Sequence, residues 1–356
     1  MEYALMSALL EIDGAAYSGS GMIVRQAVAY AAVTGTPVHL RHVRAHRPHP
    51  GLRRQHLCAV EAVRTLVGGR VEGASLGSRE FTFCPAGEVP RGKYAFDVGT
   101  AGSATALSLA LLPVLATAYE PVGVELTGGL FQDRAPSAFH LQHVLVPLLG
   151  RMGLAVTVTL VRPGYVPTGG GVLRLSVRRP GPLVPVEVER PGPVRSVWGI
   201  ALASHLEERR VSRRMADGAR AVLARAGHEA RIEERDDTSA LQPGAGLALF
   251  ADLAGGWRLG ADGAGAPGRQ AEKIGLATAE RLLEDLRTGA ALDRFASDQI
   301  ITFTALARGR SRTWLAAVTD HVRTGIWLTN LFGVARASLD GRLLVVEGGG
   351  PATEHS

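Results

Sequence analysis

A short stretch of the chain gathers cationic side chains around a Pro-Gly pair. Pro50-Gly51 predicts the opening of a helix, and arginines converge on its N-terminal end. Guanidinium groups and helix N–H groups both favour phosphate, so the stretch is a candidate phosphate site. On spacing alone, a solvated arginine-rich loop is an equal alternative. The interleaved arginines and histidines of the stretch are Arg41, His42, Arg44, His46, Arg47, His49, Arg53, Arg54 and His56.

A glycine-rich turn lies upstream of this stretch, between a predicted strand near Glu11 and a predicted helix that starts at Gly21. Arg25 lies on the first turns of that helix, where backbone N–H groups can bind an anion. An ordinary strand-to-helix turn is the alternative, since such turns are common.

A lone histidine near the C-terminal end is the third candidate. His321 follows an apolar strand predicted over Trp314 to Val318. The end of a strand is partly open and well fixed, as a nucleophile requires. A single histidine is more often structural, so the spacing leaves both interpretations open.

Helix-length amphipathic runs that end at glycine, each followed by a short strand, recur along the chain. A glycine just past the last turn is the usual left-handed cap, which gives these boundaries a physical basis. The strand predicted after the last of these helices lies near Ile300 to Ala305. This spacing predicts an α/β or α+β fold built from related modules, with sheets covered by helices. The predicted helices span residues 21–33, 53–67, 103–118, 137–151 and 270–286.

The length of the chain and its Pro- and Gly-rich stretches predict two domains. The chain has 356 residues, and Pro- and Gly-rich stretches bracket a charged helical segment around Leu206 to Gly227. We predict a large catalytic domain of residues 1–183 and 276–345, a small inserted domain of residues 184–275, and a flexible tail of residues 346–356. Met1 to Leu10 is apolar but lacks a basic region, so it is predicted to be a first strand rather than a signal peptide.

Composition excludes several classes of protein. Hydrophobic residues make up 46% and charged residues 20% of the chain, which excludes a mainly disordered protein. Cys58 and Cys84 are too few for a disulfide framework and are predicted to be reduced thiols of a cytoplasmic protein. No run of about 18 apolar residues predicts a transmembrane helix, so no membrane partner is expected. The net charge of +6 is compatible with a polyanionic partner.

Taken together, these segments resemble the RNA 3′-terminal phosphate cyclases, a family that shares its fold with the enolpyruvyl transferases. The matches run in order from residue 10 to about residue 330, so they cover most of the chain. The resemblance implies a large domain of three βαβαββ-type repeats with a small α/β insert. The residues that carry it are Asp13-Gly14-Ala15, Arg44-Ala45-His46-Arg47, Pro50-Gly51-Leu52, Arg54-Gln55-His56-Leu57, Gly99-Thr100-Ala101-Gly102-Ser103, Thr127-Gly128-Gly129, Pro167-Thr168-Gly169-Gly170-Gly171, Asp298-Gln299, and His321 with Thr324 and Ile326.

The family's chemistry is implied by this resemblance. A histidine attacks the α-phosphorus of ATP, AMP passes to an RNA 3′-phosphate, and the 2′-hydroxyl closes a 2′,3′-cyclic phosphate. Here the nucleophile would be His321, the cofactors ATP and a divalent ion (Mg or Mn), and the partner an RNA with a 3′-phosphate end. The implied ATP-binding residues are Phe295, Ala296, Ser297, Asp298, Gln299 and Leu109. The implied phosphate- and RNA-binding residues are Arg25, Arg44, Arg47, Arg54, Gln55 and His56.

Departures from the family pattern keep alternatives open. The family's first Gly-rich turn carries a Glu and, four residues later, a Gln, where this chain has Ser18 and Met22. A family Gln near ATP is Leu109 here, and the metal ligands are unassigned. One alternative is a non-catalytic RNA-binding relative that acts as a scaffold in RNA processing. Another is a transferase acting on a small phosphorylated substrate, since fold alone does not determine function.

A second alignment to the family is possible at the C-terminal motif. Aligning on Leu328-Thr329-Asn330 would put Ile326 at the nucleophile position and imply an inactive enzyme. The alignment on His321 is preferred, because it keeps His321, Thr324 and Ile326 in phase with the family.

Overall fold

The first part of the chain forms a β-α-β-α-β-β unit. The structure, a computed structural model, describes residues 9–89, 91–133, 135–178 and 181–350. The elements of the unit are β1 (Leu10–Asp13), α1 (Gly21–Thr34), β2 (Val38–Arg41), α2 (Arg54–Val67), β3 (Gly69–Glu72) and β4 (Phe81–Pro85). The sheet order is β1-β2-β4-β3, in which β1 and β2 are parallel and the other pairs are antiparallel. The loops after β1 and β2 therefore leave the same edge of the sheet.

Local signals explain where α1 begins and ends. The Ser20 hydroxyl accepts a hydrogen bond from the Met22 N–H at 3.3 Å, which satisfies one free donor of the first turn. Gly35, at φ +68°, ends the helix in the left-handed conformation that the sequence predicts. The run Ile23 to Val33 is mostly buried, so tertiary packing adds to these caps.

The second unit repeats the first. It contains β5 (Gly92–Asp97), α3 (Ala104–Leu115), β6 (Val122–Gly128), α4 (Ala138–His140), a π-helical turn (Leu141–Leu145), α5 (Val146–Arg151), β7 (Ala155–Arg162) and β8 (Gly171–Arg178). Its sheet order is β5-β6-β8-β7, with the same parallel first pair and antiparallel remaining pairs.

A third unit begins at β9 (Glu187–Val188) and is interrupted by a fourth sheet. The interrupting elements are β10 (Val194–Ser204), a 3₁₀ turn (Glu207–Arg209), α6 (Val211–Arg225), β11 (Ala230–Asp237), β12 (Gly244–Leu253), β13 (Arg258–Ala264) and α7 (Ala271–Arg287). The order of this sheet is β11-β10-β12-β13. Helices α6 and α7 pack on it around a hydrophobic cluster of their own.

The third unit then resumes and closes the pattern. Its remaining elements are α8 (Arg294–Leu306), β14 (Arg308–Trp314), α9 (Asp320–Leu331), β15 (Ala335–Asp340) and β16 (Leu343–Gly349). The sheet order β9-β14-β16-β15 matches the first two units in both order and strand direction. The predicted α/β class with three βαβαββ repeats is therefore confirmed.

Two predicted strands are wrong. Ile300 to Ala305 lies inside helix α8, because the Asp293 carboxylate caps that helix, accepting from the N–H groups of Phe295 and Ala296 at 2.9 Å. The cap and burial on all sides outweigh the strand preference of its β-branched residues. The strand predicted over Trp314 to Val318 is instead β14, which ends at Trp314.

The predicted domain boundaries at residues 184 and 275 stay a prediction. Strand β9, at Glu187–Val188, pairs with β14, and α7 packs on α6. The predicted tail shares its first residues with β16, which runs to Gly349. Of the predicted N-terminal strand, only its last residue, Leu10, lies in β1, and residues 1–8 and 351–356 lie outside the described residues.

Close packing of α6 against α7 yields a stability prediction. A Cβ atom at Gly275 would overlap the backbone of Met215 and Ala219, so Gly275→Ala forces the helices apart. We expect the free energy of unfolding to fall by about 1–3 kcal/mol in urea denaturation. Gly150→Ala is the matched control, because no atom lies within 4 Å of a Cβ there, and it should be neutral or stabilising by up to about 1 kcal/mol. Equal effects of the two substitutions would contradict this account of the packing.

Candidate active site

His321 lies in the first turn of a helix rather than at the end of a strand. It is the second residue of α9, whose cap residue Thr319 accepts a hydrogen bond from the Val322 N–H at 3.1 Å. Its side chain is 41% exposed, and Nδ1 lies 3.3 Å from Oδ2 of Asp298. The ring is thus anchored on one side and open on the other.

The partner of His321 is a nearly buried carboxylate. Asp298 lies on the second turn of α8, and its other oxygen accepts from the Gln299 side-chain amide. A carboxylate accepts hydrogen bonds, so in the neutral imidazole the proton resides on Nδ1 and the lone pair on Nε2. This arrangement fixes the tautomer that a nitrogen nucleophile requires.

Arg25 supplies positive charge to the same place. It lies on α1 and is half-buried. Burial lowers the pKa of its guanidinium to about 10, and the negative charge of Asp298 opposes the lowering. Arg25 therefore remains a cation at neutral pH and can bind a phosphate in the cavity.

These side chains face one cavity of about 310 Å³. It joins the three repeats, because Arg25 comes from the first, Leu109 from the second and His321 from the third. Seven of the residues expected from the sequence line it, namely Arg25, Gln55, Leu109, Phe295, Asp298, Gln299 and His321. The other lining residues are Ser103, which belongs to one of the motifs that carry the resemblance, and seven that the sequence did not single out: Ala106, Gln132, Asp133, Ala135, Pro136, Arg294 and Thr319.

Two of the expected ATP-binding residues do not line this cavity. Ala296 and Ser297 are fully buried, and the Ser297 hydroxyl donates to the Leu292 carbonyl at 3.4 Å. Successive helix positions point about 100° apart, so Phe295 and Asp298 face the cavity while the two residues between them face the core.

The arginines of the 41–56 stretch divide between two roles. Arg44 donates to the carbonyls of His49 and Gly51 at 2.7 and 2.8 Å, so it holds its own loop together. Arg47 is half-buried and Arg54 is exposed, with Arg54 lying against Gly99. None of the three lines the cavity, so the stretch forms a cationic surface beside it rather than its wall.

Gln55 and His56 fasten this stretch to its neighbours. The side-chain amide oxygen Oε1 of Gln55 accepts from the Ser103 N–H at 3.2 Å, which links α2 to the start of α3. His56 is buried, and its Nδ1 accepts from the Arg53 N–H at 3.2 Å. Burial, with Arg25 and other nearby arginines, lowers the pKa of His56 to about 3, so it acts as a neutral cap.

A buried charged group that the sequence analysis missed lies behind the cavity. Nε2 of His140 lies 3.0 Å from Asp293, and both side chains are buried. Asp293 also accepts from the Gly260 N–H, and Asp262 accepts from the N–H and hydroxyl of Ser137. The group therefore joins α4, β13 and α8, and its members lie up to 153 residues apart in sequence.

The charges of this group shift one another's ionisation. Burial alone would lower the pKa of His140, but the charge and hydrogen bond of Asp293, with Asp262 and Asp298, raise it to about 9. Burial would likewise raise the pKa of Asp293, but His140 and two N–H groups hold it below its ordinary value. The pair is therefore ionised at neutral pH.

The described residues offer no ready set of ligands for the expected divalent ion. Among the described residues, no three His, Cys, Asp or Glu side chains converge as a metal site. Ser18, which stands where the family carries Glu, shares a 3.0 Å hydrogen bond with the hydroxyl of Ser20. Asp133 binds Arg269 and Asp298 binds His321, so neither cavity carboxylate is free for a resident metal.

No helix within the described ranges combines the length and the apolarity that crossing a bilayer requires.

The buried His140–Asp293 pair predicts a pH dependence of stability. A histidine whose pKa is raised on folding stabilises the protein fully below its unfolded pKa of about 6.5, and this contribution is lost as pH rises through about 9. The free energy of unfolding of the unmodified protein should therefore fall more steeply between pH 7 and pH 10 than that of His140→Gln. The control His228→Gln should keep the original slope. Parallel curves for the unmodified protein and His140→Gln would contradict the assignment.

Comparisons with known proteins show the family to which the chain belongs. The family model described as RNA 3′-terminal phosphate cyclase matches residues 16–339. The curated RNA 3′-terminal phosphate cyclase of Hyperthermus butylicus is 42% identical over 325 residues, covering 89% of this chain and 90% of that protein. That of Caldivirga maquilingensis is 37% identical over 329 residues, covering 91% and 92%.

A comparison with solved structures finds a more distant similarity. The enolpyruvyl transferase NikO of Streptomyces tendae is 12% identical, with a TM-score of 0.39 over 97% of this chain and 49% of that one. Family membership rests instead on the sequence matches, which span nearly the whole chain and nearly the whole of each relative. This chain belongs to the RNA 3′-terminal phosphate cyclase family.

Proposed function

We propose that this protein converts an RNA 3′-terminal phosphate to a 2′,3′-cyclic phosphodiester at the expense of ATP, with His321 carrying AMP between steps. The observation that carries the proposal is the contact of His321 Nδ1 with the nearly buried Asp298, in a cavity that also holds Arg25. A nucleophile, the group that orients it and a phosphate-binding cation are thus in one place.

The first step forms a bond between His321 Nε2 and the α-phosphorus of ATP. The bond from that phosphorus to the bridging oxygen breaks, and pyrophosphate leaves with its electron pair. Asp298 accepts the Nδ1–H bond and stabilises the positive charge that develops on the ring. Arg25 offsets negative charge on the phosphate oxygens. Any divalent ion enters with ATP as part of the substrate.

The next two steps transfer AMP and close the ring. An oxygen of the RNA 3′-phosphate attacks the AMP phosphorus, and His321 leaves with the electron pair of the N–P bond. The neighbouring ribose 2′-hydroxyl then attacks the 3′-phosphorus and loses its proton, and AMP leaves. The products are the cyclic phosphodiester, AMP and pyrophosphate, so atoms and charges balance.

Phe295 and Leu109 provide the apolar surface for the adenine. Phe295 is half-buried at the cavity, and its ring lies 5.8 Å from the His140 ring in an edge-on arrangement. An aromatic face is sufficient for stacking a base. Gln299 lines the same wall, whereas Ala296 and Ser297 contribute by holding Phe295 and Asp298 at the correct helix positions.

A non-catalytic RNA-binding function is the second candidate. It is favoured by Ser18, Met22 and Leu109, which stand where the family carries charged or amide side chains, and of these Leu109 lines the cavity. Under this alternative, Arg47 and Arg54 would still bind RNA, but ATP would not label the protein.

Covalent labelling tests the assignment of His321. Incubation with α-labelled ATP and magnesium should transfer label to the unmodified protein and not to His321→Ala, which lacks the attacking nitrogen. His228→Ala removes a histidine that does not line the cavity and should label normally. Equal label on His321→Ala would overturn its role, and no label on the unmodified protein that still binds RNA would favour the non-catalytic alternative.

The role of Asp298 predicts a specific kinetic defect. Asp298→Asn keeps the side-chain volume but removes the charge that holds the His321 tautomer, so the single-turnover rate of AMP transfer should fall by about 10²-fold or more. The unfolding temperature should change little by comparison. Asp320→Asn, an exposed carboxylate next to His321, is the matched control and should retain the rate within about threefold. A similar loss in both variants would contradict a specific role for Asp298.

A further inference from the structure

The turn between β1 and α1 holds a large aromatic residue in an unfavourable backbone conformation. Tyr17 has φ +47°, a region that bulky residues rarely occupy, and it is 57% exposed. Because more than half of the residue is exposed, burial offsets little of this strain. Residues held in strained backbone conformations cluster at functional positions.

The same strain recurs in the neighbouring loop. His42 has φ +51° and Arg44 has φ +54°, in the loop that follows β2. Within the described ranges, five non-glycine residues have positive φ, and three of them lie in these two loops. Because β1 and β2 are parallel, both loops leave the same sheet edge.

Tyr17 is backed by a second aromatic ring. The ring centroids of Tyr17 and Trp327 lie 5.4 Å apart at an interplanar angle of 38°. Trp327 lies on α9, the helix that begins beside His321, and packs partly against the core. The Ser18 N–H donates to the Thr324 hydroxyl at 3.3 Å. This bond attaches the loop between β1 and α1 to helix α9, about one helical turn after His321.

The turn that carries Tyr17 adjoins the basic loop that follows β2. A Cβ at Gly19 would lie 2.6 Å from Nδ1 of His46, so the basic loop and the aromatic turn are in contact. Burial lowers the pKa of Arg44, and the nearby positive charges of Arg53 and Arg47 lower it further. Among the described residues, no carboxylate forms an ion pair with these three arginines.

We propose that Tyr17, backed by Trp327, is a platform on which a base near the 3′ end of the RNA stacks, while the adjoining arginines neutralise its phosphates. Exposed aromatic faces beside unneutralised cations are what single-stranded nucleic acids require. The inference rests on the proposed function and deepens it, because it states how the strand is held outside the cavity. Stacking needs only a base of any type, so little sequence preference is expected.

Steady-state kinetics with a short 3′-phosphorylated RNA test the platform. Tyr17→Gly relieves the backbone strain and removes the ring, so the KM for RNA should rise about tenfold while kcat changes less than threefold. Tyr17→Phe retains the aromatic face and should stay within about twofold of the unmodified protein. Tyr119→Ala, at another exposed tyrosine, is the control and should leave KM unchanged. A purely structural role for Tyr17 predicts instead that Tyr17→Gly lowers the thermal unfolding temperature and leaves KM unchanged.

A modified RNA completes the test. Replacing the bases of the last nucleotides by abasic sites should raise the KM of the unmodified protein for RNA about tenfold. The same replacement should not raise the KM of Tyr17→Gly further, since that variant has already lost the stacking partner. If the unmodified protein cyclises RNA but Tyr17→Gly has an unchanged KM, the platform is wrong and the function stands. If the unmodified protein forms no cyclic phosphate, the function fails, and the platform stands only if RNA affinity measured by fluorescence anisotropy still depends on Tyr17.

Discussion

A buried carboxylate determines where helix α8 begins. Asp293 accepts hydrogen bonds from the first N–H groups of that helix and from Gly260, and it faces the ring of His140 at 3.0 Å. An unpaired charge at such depth would be strongly destabilising, so the cap depends on the histidine that neutralises it. Since Phe295 and Asp298 follow on the same helix, the orientation of both depends on this pair.

The repeated architecture brings residues distant in sequence to one place. Each unit has a parallel pair of strands followed by loops at the same edge, and the cavity lies where elements of all three units meet. Arg25, Leu109 and His321 are contributed by helices of successive units. No single repeat could build the site, which explains why the candidate residues are spread from residue 25 to residue 321.

The fourth sheet is attached to the three repeats through polar as well as apolar contacts. Asp262 on β13 binds the backbone and hydroxyl of Ser137, and Gly260 on the same strand binds Asp293. Arg269, just after β13, binds Asp133 at the cavity edge with two hydrogen bonds. The geometry of the cavity is thus coupled to the position of the fourth sheet, in addition to the three repeats.

The sequence by itself determined what short-range chemistry controls. Caps such as Ser20 and Gly35 set helix boundaries through contacts a few residues apart, and the ordered motifs predicted roles for His321 and Asp298, which the structure brings into contact. Only the tertiary structure decided that Ile300 to Ala305 is helical, because burial there outweighs local preference. The tertiary structure also decided that Arg44 binds its own loop and that His140 meets Asp293. Those interactions depend on where the folded backbone places each charged side chain. Neither the residue type nor its spacing along the sequence predicts that position.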